Sequence, residues 1–199
     1  MIPIAVTPAN LVVGPARLYV APFGSVEPAD SAVTPNGPTT PPSAPWTDVG
    51  GTDGGVTLEL DNTYTDLQVD QLTLNVGARL TEMKITVTAK LSEMTLGNLQ
   101  TALNNIGTLG GGTGYSTLDI PVGATSTQPT YAALLIDGWA PALSTGASAL
   151  RRVIVRKVLS QVKASLTYDK KTQQGLSCTF SAYYVSSSIA PLHLVDQQQ

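Results

Sequence analysis

"WTDVGGTDGGVTLELDNTYTDLQVDQ", residues 46–71, alternates apolar with polar side chains through its middle: Val56, Leu58 and Leu60 against Thr57, Glu59 and Asp61. Alternation puts successive side chains on opposite faces of a β-strand, whereas a helix would repeat near every ~3.6 residues. Leu67 and Val69 alternate likewise with Asp66, Gln68 and Asp70, and read as a second strand. The same stretch holds six acids and no Lys or Arg, so no base nearby in the chain answers this row of carboxylates.

The period of two continues outward. Ile85, Val87, Ala89 and Leu91 alternate with Lys84, Thr86, Thr88 and Lys90; Val162 to Tyr168 and Leu176 to Tyr184 repeat the pattern. Tyr115 to Val122 and the almost wholly apolar Thr130 to Ile136 add two strands. Short half-buried strands joined by Gly, Asp and Asn turns predict a mainly β, antiparallel sandwich or barrel. One segment departs from this. In "TLGNLQTALNNIG" the residues Leu96, Leu99, Leu103 and Ile106 keep helical spacing, with Thr95 as N-cap and Gly107 as stop. This predicts one amphipathic flanking helix near 95–106, anchored to the core by those four side chains. "LGGGTGYS" reads as a flexible link to the next strand.

The domain boundaries follow from composition. Residues 1–24 read as an extended N-terminal arm, and 25–45, crowded with Pro and Thr, as a long loop, because proline removes a donor and favours extended backbone. Residues 46–190 form the β domain and 191–199 a C-terminal tail.

Only 13% of the 199 residues are charged while 42% are hydrophobic, about half the usual charged share of ~25%. The longest apolar run, Tyr131 to Ile136, is far short of the ~18 residues that span a bilayer, so other copies of the protein rather than lipid are expected to cover the surface. Residues 1–83 carry nine acids against two bases, and residues 84–199 five against nine. Seven of those bases lie between Arg151 and Lys171. Arg151, Arg152, Arg156, Lys157 and Lys163 are therefore expected to meet acidic surface on a neighbouring copy.

Catalytic and metal chemistry find little support. The single histidine, His193, sits near the end, away from any nucleophile motif, and the single cysteine, Cys178, alternates inward between Leu176 and Phe180. The glycine runs lack both P-loop and dinucleotide spacing. Glu59 and Asp61 share a face about 7 Å apart, a separation compatible with a glycosidase pair. Such a site also needs aromatic sugar platforms, and aromatics make up 6% of the chain. Neither catalysis, a metal nor a cofactor is expected. A basic patch at Arg151–Lys157 without interleaved aromatics does not describe a sequence reader of nucleic acid.

Three ordered stretches, "WTDVGGTDGGVTLELDNTYTDLQVDQ", "RLTEMKITVTAKLSEMTLGNLQTAL" and "RRVIVRKVLSQVKASLTYDKKTQQGLSCTFSAYY", together resemble the major tail tube protein of long-tailed (siphovirus-type) bacteriophages. The resemblance covers residues 46–184 and rests on the order of Trp46–Gly50, Val69–Gln71 and Leu91–Leu96 before a closing hairpin. The Pro-rich insert and the Gln-rich tail depart from the family pattern. The resemblance implies a β-sandwich or barrel whose copies form hexameric rings, stacked into a tube in the virion tail and assembled in the bacterial cytoplasm. It implies tape-measure, tail-tip and tail-terminator partners, transient non-specific passage of double-stranded DNA, and no membrane. On that reading Thr57, Glu59, Asp61, Asp66, Gln68 and Asp70 line the bore and keep phosphates from binding. The inner tube of a contractile tail or of a phage-derived injection particle shares the fold. From another class, a β-sandwich adhesion or carbohydrate-binding module would use Trp46, Trp139, Tyr183 and Tyr184.

Overall fold

The computed structural model describes residues 10–33, 41–121, 128–142, 149–161, 166, 168–171 and 173–197. The strands are β1 (Arg17–Pro22), β2 (Thr47–Asp48), β3 (Thr52–Leu67), β4 (Gly77–Leu91), β5 (Thr108–Gly112), β6 (Tyr115–Asp119), β7 (Ala132–Ala140), β8 (Ala149–Ser160), β9 (Leu176–Ala182) and β10 (Leu192–Asp196), with one helix, α1 (Leu96–Ala102). The main antiparallel sheet runs β2-β1-β7-β8-β9-β4-β3, and β10 pairs with β8. The fold is mainly β with a flanking helix.

Register explains the core. Leu18 and Val20 face Ile136 and Leu134, which face Val153 and Val155. Phe180, Cys178 and Leu176 face Val87, Ala89 and Leu91. All these side chains lie in one cluster on one face of the sheet. The alternate residues Tyr19, Ala21, Ala133, Leu135 and Ile154 join Trp46 in a smaller cluster on the other face. β7 and β8 are therefore covered on both sides, and that is why Thr130–Ile136 is apolar without alternation. On that second face Arg152 and Asp137 stand opposite each other in the ladder. They form a bidentate ion pair at 2.7 and 2.8 Å with side chains only 4% and 5% exposed.

β2 and β3 end the sheet on opposite sides, yet only residues 49–51 separate them, and β1 touches β3. The sheet therefore curls around its larger cluster.

Several boundaries differ from expectation. The end of the expected arm is β1, a strand within the sheet, and the expected tail contains β10. The "LGGGTGYS" link contains most of β5 and the start of β6, a hairpin of its own, because a backbone ladder needs no apolar side chains. The strand expected over Val162–Tyr168 falls largely outside the described residues.

Thr95 caps α1, accepting from the Asn98 amide at 3.1 Å. The helix stops at Ala102 rather than near Ile106, because Asn104 and Asn105 both turn left-handed (φ 57° and 56°), as asparagine tolerates better than most residues. The buried helix positions are Asn98 and Ala102. Leu99 packs against the core and Leu103 is half-buried, whereas Leu96 and Ile106 are exposed.

Removing one half of a buried ion pair leaves an uncompensated charge. Arg152→Ala is expected to lower stability by about 3–5 kcal/mol, measured by denaturant unfolding. Replacing Arg152 and Asp137 together by apolar residues of similar size is expected to cost much less.

Candidate functional site

β3 and β4 form one long hairpin with a bulge at Thr81, where the partner of Thr63 is Glu82 and that of Tyr64 is Leu80. One face carries Val56, Leu58, Leu60, Asn62, Tyr64 and Asp66 opposite Ala89, Val87, Ile85, Met83, Leu80 and Ala78. The other carries Thr57, Glu59, Asp61, Thr63 and Thr65 opposite Thr88, Thr86, Lys84, Glu82 and Arg79. Near its base the apolar face contributes Val56 and Leu58 to the core cluster. β9 pairs with β4 only from Thr86 to Leu91. Beyond that the hairpin leaves the domain, and every residue from 59 to 84 is exposed. Among them are Leu60, Tyr64, Leu67, Val69, Leu72, Leu74, Val76, Leu80 and Met83, all more than 40% exposed.

This register sorts the six expected lining residues. Thr57, Glu59 and Asp61 share the polar face. Asp66 lies on the opposite face, because residues 52–67 are one strand and the parity of 66 differs from that of 59 and 61. Its carboxylate accepts from the Asn75 side chain at 2.7 Å. Gln68 and Asp70 lie past the end of β3, in the connection to β4. Nor is the acidic row unanswered. Lys90 forms an ion pair with Asp53, and β4 brings Arg79, Glu82 and Lys84 onto the face of Glu59 and Asp61. The signal for this was the alternation already legible in residues 84–91, read without its partner strand.

Two more acids hold the corner between β2 and β3. Asp48 Oδ1 accepts from the Gly50 amide at 2.8 Å, and Glu93 Oε1 from the Gly51 amide at 3.0 Å. The buried Asn98 side chain donates to the Val49 and Glu93 carbonyls, both at 2.8 Å. Gly50 has φ +80° and lies so close to Glu93 that a Cβ would stand 2.1 Å from its carboxylate. Trp46 fills the second cluster and donates to the Val26 carbonyl at 2.9 Å. The motifs Trp46–Gly50 and Leu91–Leu96, distant in sequence, are thus two sides of one latch.

The basic segment is engaged within the chain. Arg151 forms a bidentate pair with Asp196 on β10, both bonds 2.7 Å, and Arg156 pairs with Glu27. Arg152 has Asp137. The Lys157 ammonium lies 4.4 Å from the Tyr131 ring centre and 5.4 Å from that of Phe23. These contacts tie β10 and the 23–33 segment to β8; His193 adds a 3.0 Å contact to Asp30. Lys163 lies outside the described residues.

No cluster of His, Cys, Asp and Glu among the described residues is placed to hold a metal. Of the four aromatics that a sugar-binding module would use, Trp46 is buried, Trp139 is exposed along one side and crossed by the arm so closely that a Cβ at Gly14 would meet its ring at 2.1 Å, and Tyr184 is exposed. Tyr183 packs edge-on against Tyr131. Cys178 is fully buried, and burial pushes its thiol up to about 11.

A family model described as "Phage tail tube protein" matches residues 7–190. No curated protein matches the chain.

Three outcomes test this geometry. Asn98→Ala leaves two carbonyls without their donor and is expected to cost about 1–3 kcal/mol in denaturant unfolding. Cys178 is expected to resist a thiol reagent at pH 8 in the native protein and to react once unfolded. Hydrogen bonds from Arg151 hold the Asp196 carboxyl below its usual range. The stability this lends β10 is present above the ordinary value of about 3.9 and lost as pH falls through the lowered one. Amide exchange on β10, followed downward in pH, should show that loss.

Proposed function

The chain belongs to the phage tail tube protein family, and from that premise we propose that hexameric rings of it stack into the hollow conduit through which DNA leaves the virion. The family is structural, made of proteins that assemble in many copies into a virion tail. The observation that carries the finer reading is the ribbon formed by residues 59–84, every residue of which is exposed and which lies beyond the reach of the β9 pairing. A two-stranded ribbon is marginal in water by itself. An exposed apolar face of this length marks a surface that is covered in the working state.

In the assembled tube the apolar face, with Leu60, Tyr64, Leu80 and Met83, packs against neighbouring subunits. The opposite face, with Thr57, Glu59, Asp61, Thr63 and Thr65, turns to the bore. Its charges are mixed: Glu59, Asp61 and Glu82 outnumber Arg79 and Lys84 by one. Such a wall offers no net cation excess to exchange for the counterions of DNA, so a duplex slides without binding. Gln68, Asp70 and Asp66 belong to the end of the ribbon and not to this row. A tape-measure protein fills the bore during assembly in the host cytoplasm, while tail-tip and terminator proteins close its ends. The bore needs no enzyme and no cofactor. A sheath around the tubes in virion micrographs would identify the inner tube of a contractile tail or injection particle instead.

Negative-stain microscopy of concentrated protein, alone and with tail-tip proteins as nucleus, is expected to show hollow tubes. A monomer under every condition would overturn the reading. Leu60→Asp with Tyr64→Asp should abolish tubes while leaving the melting temperature of the monomer nearly unchanged. Thr57→Lys adds a positive charge per subunit to the bore. Phage carrying it should assemble and adsorb but eject DNA slowly, the more so at low salt. Thr57→Ser should behave as the parent.

A further inference from the structure

We infer that the proline-rich stretch of residues 35–45 in one copy docks in an aromatic groove of a neighbouring copy, formed by Phe23, Tyr131 and Tyr183 and by the cavity between Phe23 and Trp46. The contact lies on the second face of the main sheet, away from the ribbon, and goes beyond the tube reading.

The groove continues the smaller apolar cluster. Trp46, Ala133 and Ile154 of that cluster line a cavity of about 240 Å³, together with Phe23, Val185 and Ile189. The two charged residues in its lining, Glu27 and Arg156, are paired with each other, and Arg156 also donates to the Ala190 carbonyl. Phe23 is 43% exposed and Ile189 46%. From Phe23 the aromatic surface runs on past the Lys157 ammonium to Tyr131, and Tyr183 stands edge-on to Tyr131 with ring centres 5.5 Å apart. A groove of ring faces whose charges are already engaged suits an apolar, uncharged ligand.

Such a ligand is present in the chain itself. No charged residue lies between Asp30 and Asp48, and prolines stand at 35, 38 and 41, then at 42 and 45. A spacing of three is one turn of a polyproline II helix, so Pro35, Pro38 and Pro41 would share one ridge. Aromatic-lined grooves bind such ridges because the ligand has little conformational entropy left to lose. A copy does not offer this stretch to its own groove. Pro45 lines a separate depression between β1 and α1, with Val20, Thr47 and Asn98. The stretch therefore reaches Trp46 from the α1 side rather than along the groove. Many copies held side by side raise the local concentration of the stretch at each groove, so a weak single contact suffices.

The test begins with free subunits and a synthetic peptide of residues 31–45. On titration, the ring resonances of Tyr131 and Tyr183 should shift, and Phe23→Ala should weaken binding about tenfold or more. The same peptide with alanine at 35, 38 and 41 should bind far less. That comparison uses the unaltered protein, so a folding defect in the Phe23→Ala variant leaves it intact. Cross-linking then identifies the copy that supplies the stretch. A short bismaleimide should join Pro38→Cys chains to Ile189→Cys chains in assembled material, the native Cys178 being buried. A chain carrying both substitutions should link to other chains and not to itself. No peptide binding, equal binding of the two peptides, or a link closed within one chain would overturn the inference and leave the tube reading intact. Peptide binding by protein that never forms tubes would overturn the tube reading alone.

Discussion

The corner at Val49–Gly51 must stay against Glu93 and Asn98 if the sheet is to remain curled. Two edges of one sheet meet there, and no ladder joins β2 to β3 across the bend. The carbonyl of Val49 and the amides of Gly50 and Gly51 are satisfied instead by Asn98, Asp48 and Glu93. Backbone groups without partners in such a place would cost as much as the ladder bonds they replace. Because Asn98 belongs to α1 and Glu93 to the link before it, the same bonds seat the helix. Thr95 then caps α1 one turn from the corner, and Leu99 reaches the core.

With the corner pinned, β3 starts in a set direction and β4 returns beside it, so the ribbon leaves the domain at a set angle. The domain thus divides its polar side chains between two tasks. Arg151, Arg152 and Arg156 are used internally, holding β10, β7 and the 23–33 segment around β8. Those pairs join residues 45, 15 and 129 positions apart. The ribbon keeps its charges and much of its apolar surface unspent. A tube subunit requires this imbalance: a core that stands alone and an appendage that does not.

The carboxylates that looked alike in sequence have separate fates for the same reason. Asp48 is consumed by the corner, Asp53 by Lys90 and Asp66 by Asn75, while Glu59 and Asp61 share the open polar face of the ribbon. Their position is set by the parity of β3, and their surroundings by a strand that returns some twenty residues later.

What residues 46–71 determined by themselves was local: a period of two, hence strand, and the apolar set that faces inward. The cap at Thr95, the inward Cys178 and the mainly β class were legible for the same reason, since each depends on neighbours a few positions away. The length of β3, which moved Asp66 to the other face, was not, because a polar strand end and a turn look alike until a partner strand shows where the ladder stops. Nor was the place of β1 in the sheet, the docking of β10, or the engagement of the basic segment. Each rests on contacts between residues far apart in the chain, where burial and pairing geometry decide among many partners of equal local merit. Tertiary structure alone chose the bases that face outward, Arg79 and Lys84, because only the fold leaves one edge of their strand unpaired below Thr86.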